Sequence, residues 1–172
     1  MQDTLTKISS LLSIGLGEAG ATIITKNMQS GDQIDALLPG NKVICIFGFC
    51  DIRRFTDATE VLQEGVMLFV NEISEIVHST VDRYQGSCNK NIGDAFLLVW
   101  KFDDDSIEGG ENKELKLIPS NKVSQLCDMS FISFLKIIAN TKKSRKMLKY
   151  SNHAGLNARM PNYEVKMGFG LH

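Results

Sequence analysis

Eight consecutive residues constrain the fold more than any other part of this sequence: Val43-Ile44-Cys45-Ile46-Phe47-Gly48-Phe49-Cys50. The run is short, continuous and rich in β-branched side chains, the pattern of a strand buried on both faces. It is the longest apolar run in the chain and falls far short of the ~20 residues of a helical membrane span. A strand of this kind needs neighbours and covering helices, and the following sequence supplies them in order. Asp57 and Glu60 stand three apart like a capping box opening a helix. Leu62, Val66, Phe69 or Val70, Ile73, Val77 and Tyr84 then recur at steps of three and four, an amphipathic stripe. Gly65 weakens that helix by ~1 kcal/mol relative to Ala, and Gly86 ends it.

Residues 87–92 and 95–101 read as two strands joined by Gly93-Asp94, a two-residue link that signals a hairpin. Residues 103–121 are polar and acidic and read as an exposed loop. Counted as a calcium loop from Asp103, Glu108 stands where Gly is required; counted from Asp104, Leu115 stands where Glu is required, so both registers fail. Val123, Cys127, Phe131, Phe134 and Ile138 mark a second amphipathic helix. Lys142, Lys143, Arg145 and Lys146 crowd its end, where cations complement the helix dipole. Residues 163–171 read as a last strand. The order strand, helix, strand, strand, helix, strand predicts an α+β fold with a ferredoxin-like split βαβ core. Ahead of it, Leu5, Ile8, Leu12 and Leu16 give residues 3–28 a helical lead-in interrupted by Gly15, Gly17 and Gly20. The expected division is a lead-in and linker over 1–41 and a domain over 42–172.

A chain of 172 residues can bury roughly 70% of its unfolded surface and needs no staples. Hydrophobic residues at 43% and charged residues at 23% exclude a disordered or collagen-like chain. Nineteen basic against twenty acidic side chains leave a formal net charge of −1, which argues against a nucleic-acid binder that works by neutralising phosphates. The third strand, residues 95–101, reads as near-continuous core and lacks the basic-Gly-aromatic signature of an RNA-recognition sheet. Cys45, Cys50, Cys88 and Cys127 show no C-x-x-C spacing, and His78, His153 and His172 do not complete a zinc site. They read as reduced thiols. Met1-Gln2-Asp3 opens no basic, then apolar, signal segment. The expectation is an intracellular, cytoplasmic segment without a membrane span, with a ciliary or membrane-anchored parent left open.

Asp51 follows the first strand and Asp94 sits at the hairpin tip. In a ferredoxin-like sheet these ends are neighbours, ~4.8 Å apart, so the two carboxylates are candidates to share divalent cations ~3.5–4 Å apart. Arg53-Arg54-Phe55-Thr56 leads into a helix N-terminus, whose free N–H groups and dipole favour polyphosphate. Taken singly, Asp51 reads as a simple strand-end or capping residue and Asp94 as a simple turn residue.

Together, the motifs carry a resemblance. Phe47-Gly48-Phe49-Cys50-Asp51-Ile52-Arg53-Arg54-Phe55-Thr56 resembles the F-x-D-I-x-x-F-T signature of class III nucleotidyl cyclases, and Asn89-Lys90-Asn91-Ile92-Gly93-Asp94-Ala95-Phe96 resembles that family's K-x-I-G-D turn. Phe69-Val70-Asn71 is similar to its Asn-containing helix, and the aspartates stand 43 residues apart (94 minus 51). The phrases Asp57-Ala58-Thr59-Glu60 and Phe96-Leu97-Leu98-Val99-Trp100 look most like cyclase domains of unicellular eukaryotes. The resemblance implies that Asp51 and Asp94 hold two cations, Mg²⁺ or Mn²⁺, with the Ile52 carbonyl. It implies that Phe55 and Thr56 amides hold phosphates and that Lys90 reads the purine. A Lys donates to adenine N1, so Lys90 points to ATP rather than GTP. Arg54 stands where the family commonly has Gly, either touching phosphate or crowding the turn. The implied activity is conversion of ATP to cyclic AMP and pyrophosphate, with a second cyclase domain as partner. In the family roughly a further third of the domain follows the strand ending near His172, carrying the second purine reader and an Asn and Arg for the transition state. The alternative is an inactive cyclase-like module with a structural or dimerisation role.

Overall fold

A computed structural model describes residues 42–109 and 114–172; the expected lead-in and linker over 1–41 lie outside them. Strand β1 is Cys45–Ile52. Helix α1, Phe55–Leu62, passes through a tight 3₁₀ turn, Gln63–Gly65, into α2, Val66–Arg83. The hairpin follows as β2, Ser87–Ile92, and β3, Ala95–Lys101. A small ribbon, β4 (Ile107–Glu108) with β5 (Lys116–Leu117), precedes the long helix α3, Asn121–Lys143. Two short helices, α4 (Arg145–Ser151) and α5 (Ala154–Arg159), lead to β6, Met167–Leu171.

The main sheet is antiparallel throughout, in the order β2-β3-β1-β6. That is the ferredoxin-like arrangement, with the first strand in the centre and the hairpin to one side. No helix among the described residues is long and apolar enough to cross a membrane.

Helices α2 and α3 cover one face of the sheet. Phe69, Ile73, Val77 and Val81 from α2 and Phe134 and Ile137 from α3 join Cys50, Ile52, Phe96, Leu98 and Trp100 in one buried cluster. The first strand is therefore not buried on both faces. Its residues alternate, with Gly48, Cys50 and Ile52 inward and Phe47 and Phe49 exposed on the open face. Continuous hydrophobicity here marks an apolar open face rather than a second layer of helices.

The helix after β1 also differs from expectation. The residue capping α1 is Arg54, with no side-chain cap, so Asp57 and Glu60 form no capping box. They serve instead as the carboxylates that Arg159 of α5 grips, Nε on Asp57 at 3.0 Å and Nη2 on Glu60 at 2.8 Å. The Arg159 hydrogen bond holds the Asp57 carboxyl below its usual range, although desolvation opposes this. A second clamp ties α4 to α2: Glu72 accepts from Lys149 Nζ and Tyr150 Oη, both at 2.6 Å. Burial alone would raise the Glu72 carboxyl, but these two donors reverse the sign and hold it low.

Trp100 organises the core. Fully buried, its Nε1–H donates to the Tyr84 carbonyl at 3.0 Å, and its ring meets Phe134 edge-on with centroids 5.9 Å apart. Both rings lie where a side chain at Gly48 would go: a Cβ there would stand 2.8 Å from each. Gly48→Ala is therefore expected to destabilise the domain by about 1–3 kcal/mol, the cost of overpacking a filled core. Gly170→Ala, with no atom within 4 Å of its would-be Cβ, should stay within about 0.5 kcal/mol of wild type. Urea denaturation followed by Trp100 fluorescence measures both.

Candidate metal and nucleotide cleft

Asp51 is the penultimate residue of β1 rather than the residue after it. It pairs with Ala95 of β3 on one side and Gly168 of β6 on the other. One position on, the Ile52 N–H donates to the Asp94 carbonyl at 3.1 Å. The ladder thus continues one step past the strand into the hairpin turn, and it brings the backbone carrying Asp51 against the backbone carrying Asp94. Gly93, at φ +62, supplies the left-handed step that closes this two-residue turn. Both aspartates are half-buried, so each keeps access to solvent.

The turn after β1 fits the phosphate reading in its backbone. Arg54 sits in the left-handed region, φ 58 and ψ 35, and caps α1. Ala58 is the first residue whose N–H finds the preceding turn, on the Arg54 carbonyl at 3.1 Å. The amides of Phe55, Thr56 and Asp57 therefore have no intrahelical acceptor. Phe55 packs partly against the core, and Thr56 is exposed. The left-handed conformation accounts for a preference for Gly at position 54, since an L residue there costs roughly 1–2 kcal/mol. The Arg54 side chain turns to Asp57, Nε to Oδ2 at 3.3 Å.

Lys90 is exposed on β2, opposite Leu97, while Ile92 lies opposite Ala95. Residues directly opposite one another share a face, so Lys90, Leu97, Phe49, Ile92, Ala95 and Asp51 all belong to the open face. Strand spacing and rise put the Lys90 and Asp51 backbones about 12 Å apart across it. The structure brings Asp51, Ile52 and Asp94 together and sets Phe55, Thr56 and Arg54 next in chain; Lys90 stands off on the same surface.

Sequence reasoning passed over Arg53. Its Nη1 lies 3.9 Å from Asp51 Oδ2, and its guanidinium occupies the space over Gly168 that any side chain there would need. The signal was available: two residues apart on an extended chain, Asp51 and Arg53 point to the same side.

The donor set is hard oxygen, from two carboxylates and a carbonyl. Among the described residues, no group of three or more His, Cys, Asp or Glu could close a full cage around an ion. A set this sparse fits Mg²⁺ or Mn²⁺, which bind through one or two carboxylates and take their remaining ligands from substrate phosphates and water. Cys50 and Cys88 contribute nothing here: burial pushes their thiols up to about 12 and about 11.

A family model described as the all-helical domain of RasGEFs matches residues 1–29, outside the described residues. No curated protein matches the chain. Among solved structures, one of a bacterial light-regulated adenylyl cyclase matches with TM-score 0.51 and 23% identity, over 75% of this chain and 52% of that one. Another structure under the same description matches with TM-score 0.58 and 19% identity, over 99% of this chain and 40% of that one. The dimeric guanylyl cyclase domain of the RhoGC fusion protein from the aquatic fungus Blastocladiella emersonii matches at TM-score 0.44 and 17% identity, over 74% of this chain and 54% of that one. The chain spans about half or less of the length of these structures. With its β2-β3-β1-β6 sheet and the two helices laid across one face, the described domain has the fold of class III adenylyl cyclase domains.

Proposed function

We propose that this chain is the metal-binding part of a nucleotidyl cyclase domain that converts ATP to 3′,5′-cyclic AMP and pyrophosphate. The observation that carries the reading is the Ile52–Asp94 backbone bond, which joins the two strand ends bearing Asp51 and Asp94 at the edge of an open sheet face. Asp51 and Asp94, with the Ile52 carbonyl, would hold two divalent cations. When bound, such cations lower the pKa of the ribose 3′-hydroxyl and offset charge on the phosphates.

The chain's own residues do the rest. The free amides of Phe55 and Thr56 at the start of α1 orient the polyphosphate, helped by the helix dipole. Lys90 donates to adenine N1, the acceptor that distinguishes adenine from guanine at that edge. The open face, with Phe47, Phe49 and Ile92 exposed, suits a second cyclase domain laid over it, which would exclude water from the reacting groups. The reaction these residues serve is attack of the 3′-oxygen on the α-phosphorus, with pyrophosphate leaving; positioning and electrostatics supply most of the acceleration.

Metal binding tests the reading without turnover. Mn²⁺ titrated into this chain in the presence of a non-cyclisable ATP analogue, followed by electron paramagnetic resonance, should bind at least about tenfold more weakly in Asp51→Asn and in Asp94→Asn, as expected when a ligand is removed. Equal binding in wild type and both variants would leave the domain as a structural module.

Base choice is tested separately, in the full-length protein. Lys90→Glu turns a donor into an acceptor facing adenine N1, and mismatched polar groups in such a site cost several kcal/mol of discrimination. The ratio of kcat/KM for ATP over GTP should fall by at least about tenfold, while Mn²⁺ affinity stays unchanged. An unaltered ratio would remove Lys90 from the site and ATP from the proposal.

A further inference from the structure

Helix α3 presents its polarity inside out. Its core-facing side is Ser130, Ser133, Phe134, Ile137 and Thr141. Its outer side carries Phe131, Leu135 and Ile138, exposed at 59%, 51% and 38%. Flanking them on the same side are Asp128 and Lys142, both exposed and neither in an ion pair among the described residues.

The five positions 128, 131, 135, 138 and 142 step by three, four, three and four. That is the spacing of a coiled-coil seam, and here its two charged ends stand at equal distances from its middle. Asp128 and Lys142 stand seven residues either side of Leu135, with Phe131 and Ile138 between. If α3 is laid antiparallel against its own copy with Leu135 on the two-fold axis, Phe131 comes within one residue of the level of the other chain's Ile138. Asp128 of each copy then faces Lys142 of the other, at both ends. A parallel arrangement would set Asp against Asp and Lys against Lys. Self-complementarity of this kind is what an isologous two-fold contact requires.

We infer that the outer face of α3 is a docking surface for a second copy of this chain, antiparallel and centred on Leu135. It lies on the helical side of the domain, so it is separate from the open sheet face and does not rest on the reading of the cleft. Three apolar side chains per copy fall well below the ~800 Å² per partner of a standard stable interface. The contact is therefore a weak one, with a dissociation constant in the micromolar range, the kind that adds avidity to a parent already held together elsewhere.

Charge exchange tests it with the fold left intact, because Asp128 and Lys142 are both exposed. By sedimentation equilibrium across the micromolar range, the wild-type chain should move from monomer towards dimer. Asp128→Lys should weaken association by roughly tenfold, since two attractive surface pairs become repulsive. Asp128→Lys combined with Lys142→Asp should restore it. The inference is overturned by a wild-type chain that stays monomeric throughout, by unchanged association in Asp128→Lys, or by failure of the double exchange to restore it. A dimer that survives Asp128→Lys and is lost in Phe49→Glu forms through the open sheet face and also overturns it.

Discussion

The register between β1 and β3 is the constraint on which the rest of this domain depends. Gly48 pairs with Leu98 and Asp51 with Ala95, and the choice is enforced in the middle of the strand. Trp100 and Phe134 fill the space that Gly48 leaves, so only the glycine fits opposite that part of β3. A slip of one residue would drive Phe47 or Phe49 into the indole and turn Asp51 towards the helices, where Ile52 now lies. A carboxylate buried there without a partner costs several kcal/mol. Packing in the middle of the strand thus sets which way Asp51 points at its end. The Ile52 N–H to Asp94 carbonyl bond is the last rung of the same ladder.

The sheet then divides its faces unequally. One is filled by α2 and α3. The other carries exposed Phe47, Phe49 and Ile92 beside Asp51 and Lys90. Large apolar side chains gathered on one open face, with charges at its edge, form the kind of surface that soluble chains use for contact. The proposed function uses this surface as half of a site, which gives the apolar residues a role alongside the charged ones.

How much of this was legible in the sequence depended on which residues bore the signal. The hairpin was read to the residue, because a two-residue Gly-Asp link leaves no freedom in where the strands stop. The sequence pattern ends β1 two residues early, because a charged residue reads as an end and Asp51 is instead an open-face position within the strand. The stripe on α3 was misread. Cys127, Phe131 and Ile138 were expected in the core and are exposed, whereas Ser130 and Ser133 are buried. These serines donate to the carbonyls of Cys127 and Ser130, each at 2.7 Å. A hydroxyl that satisfies itself on its own helix behaves as a small core residue, and hydrophobic periodicity does not register it. Helices α4 and α5 are short, and beside their few buried residues side-chain clamps that no apolar stripe signals tie them down, through Tyr150 and Lys149 to Glu72 and through Arg159 to Asp57 and Glu60.

The cleft's charges follow the same logic of local claims. Of the three cations near it, Arg54 is taken by Asp57 and Lys90 stands apart on β2. Among the described residues, only Arg53 attends an aspartate of the site, at 3.9 Å from Asp51, with its own side chain 64% exposed. A pair so open to water is worth about 0–1 kcal/mol. It offsets the Asp51 charge without closing the carboxylate off, as the proposed cation site would require. Gly168 in the adjacent strand is what lets Arg53 lie there at all. The glycine of β6, the arginine of the turn and the aspartate of β1 therefore form one arrangement: a carboxylate kept accessible by a counter-ion too weakly held to block it.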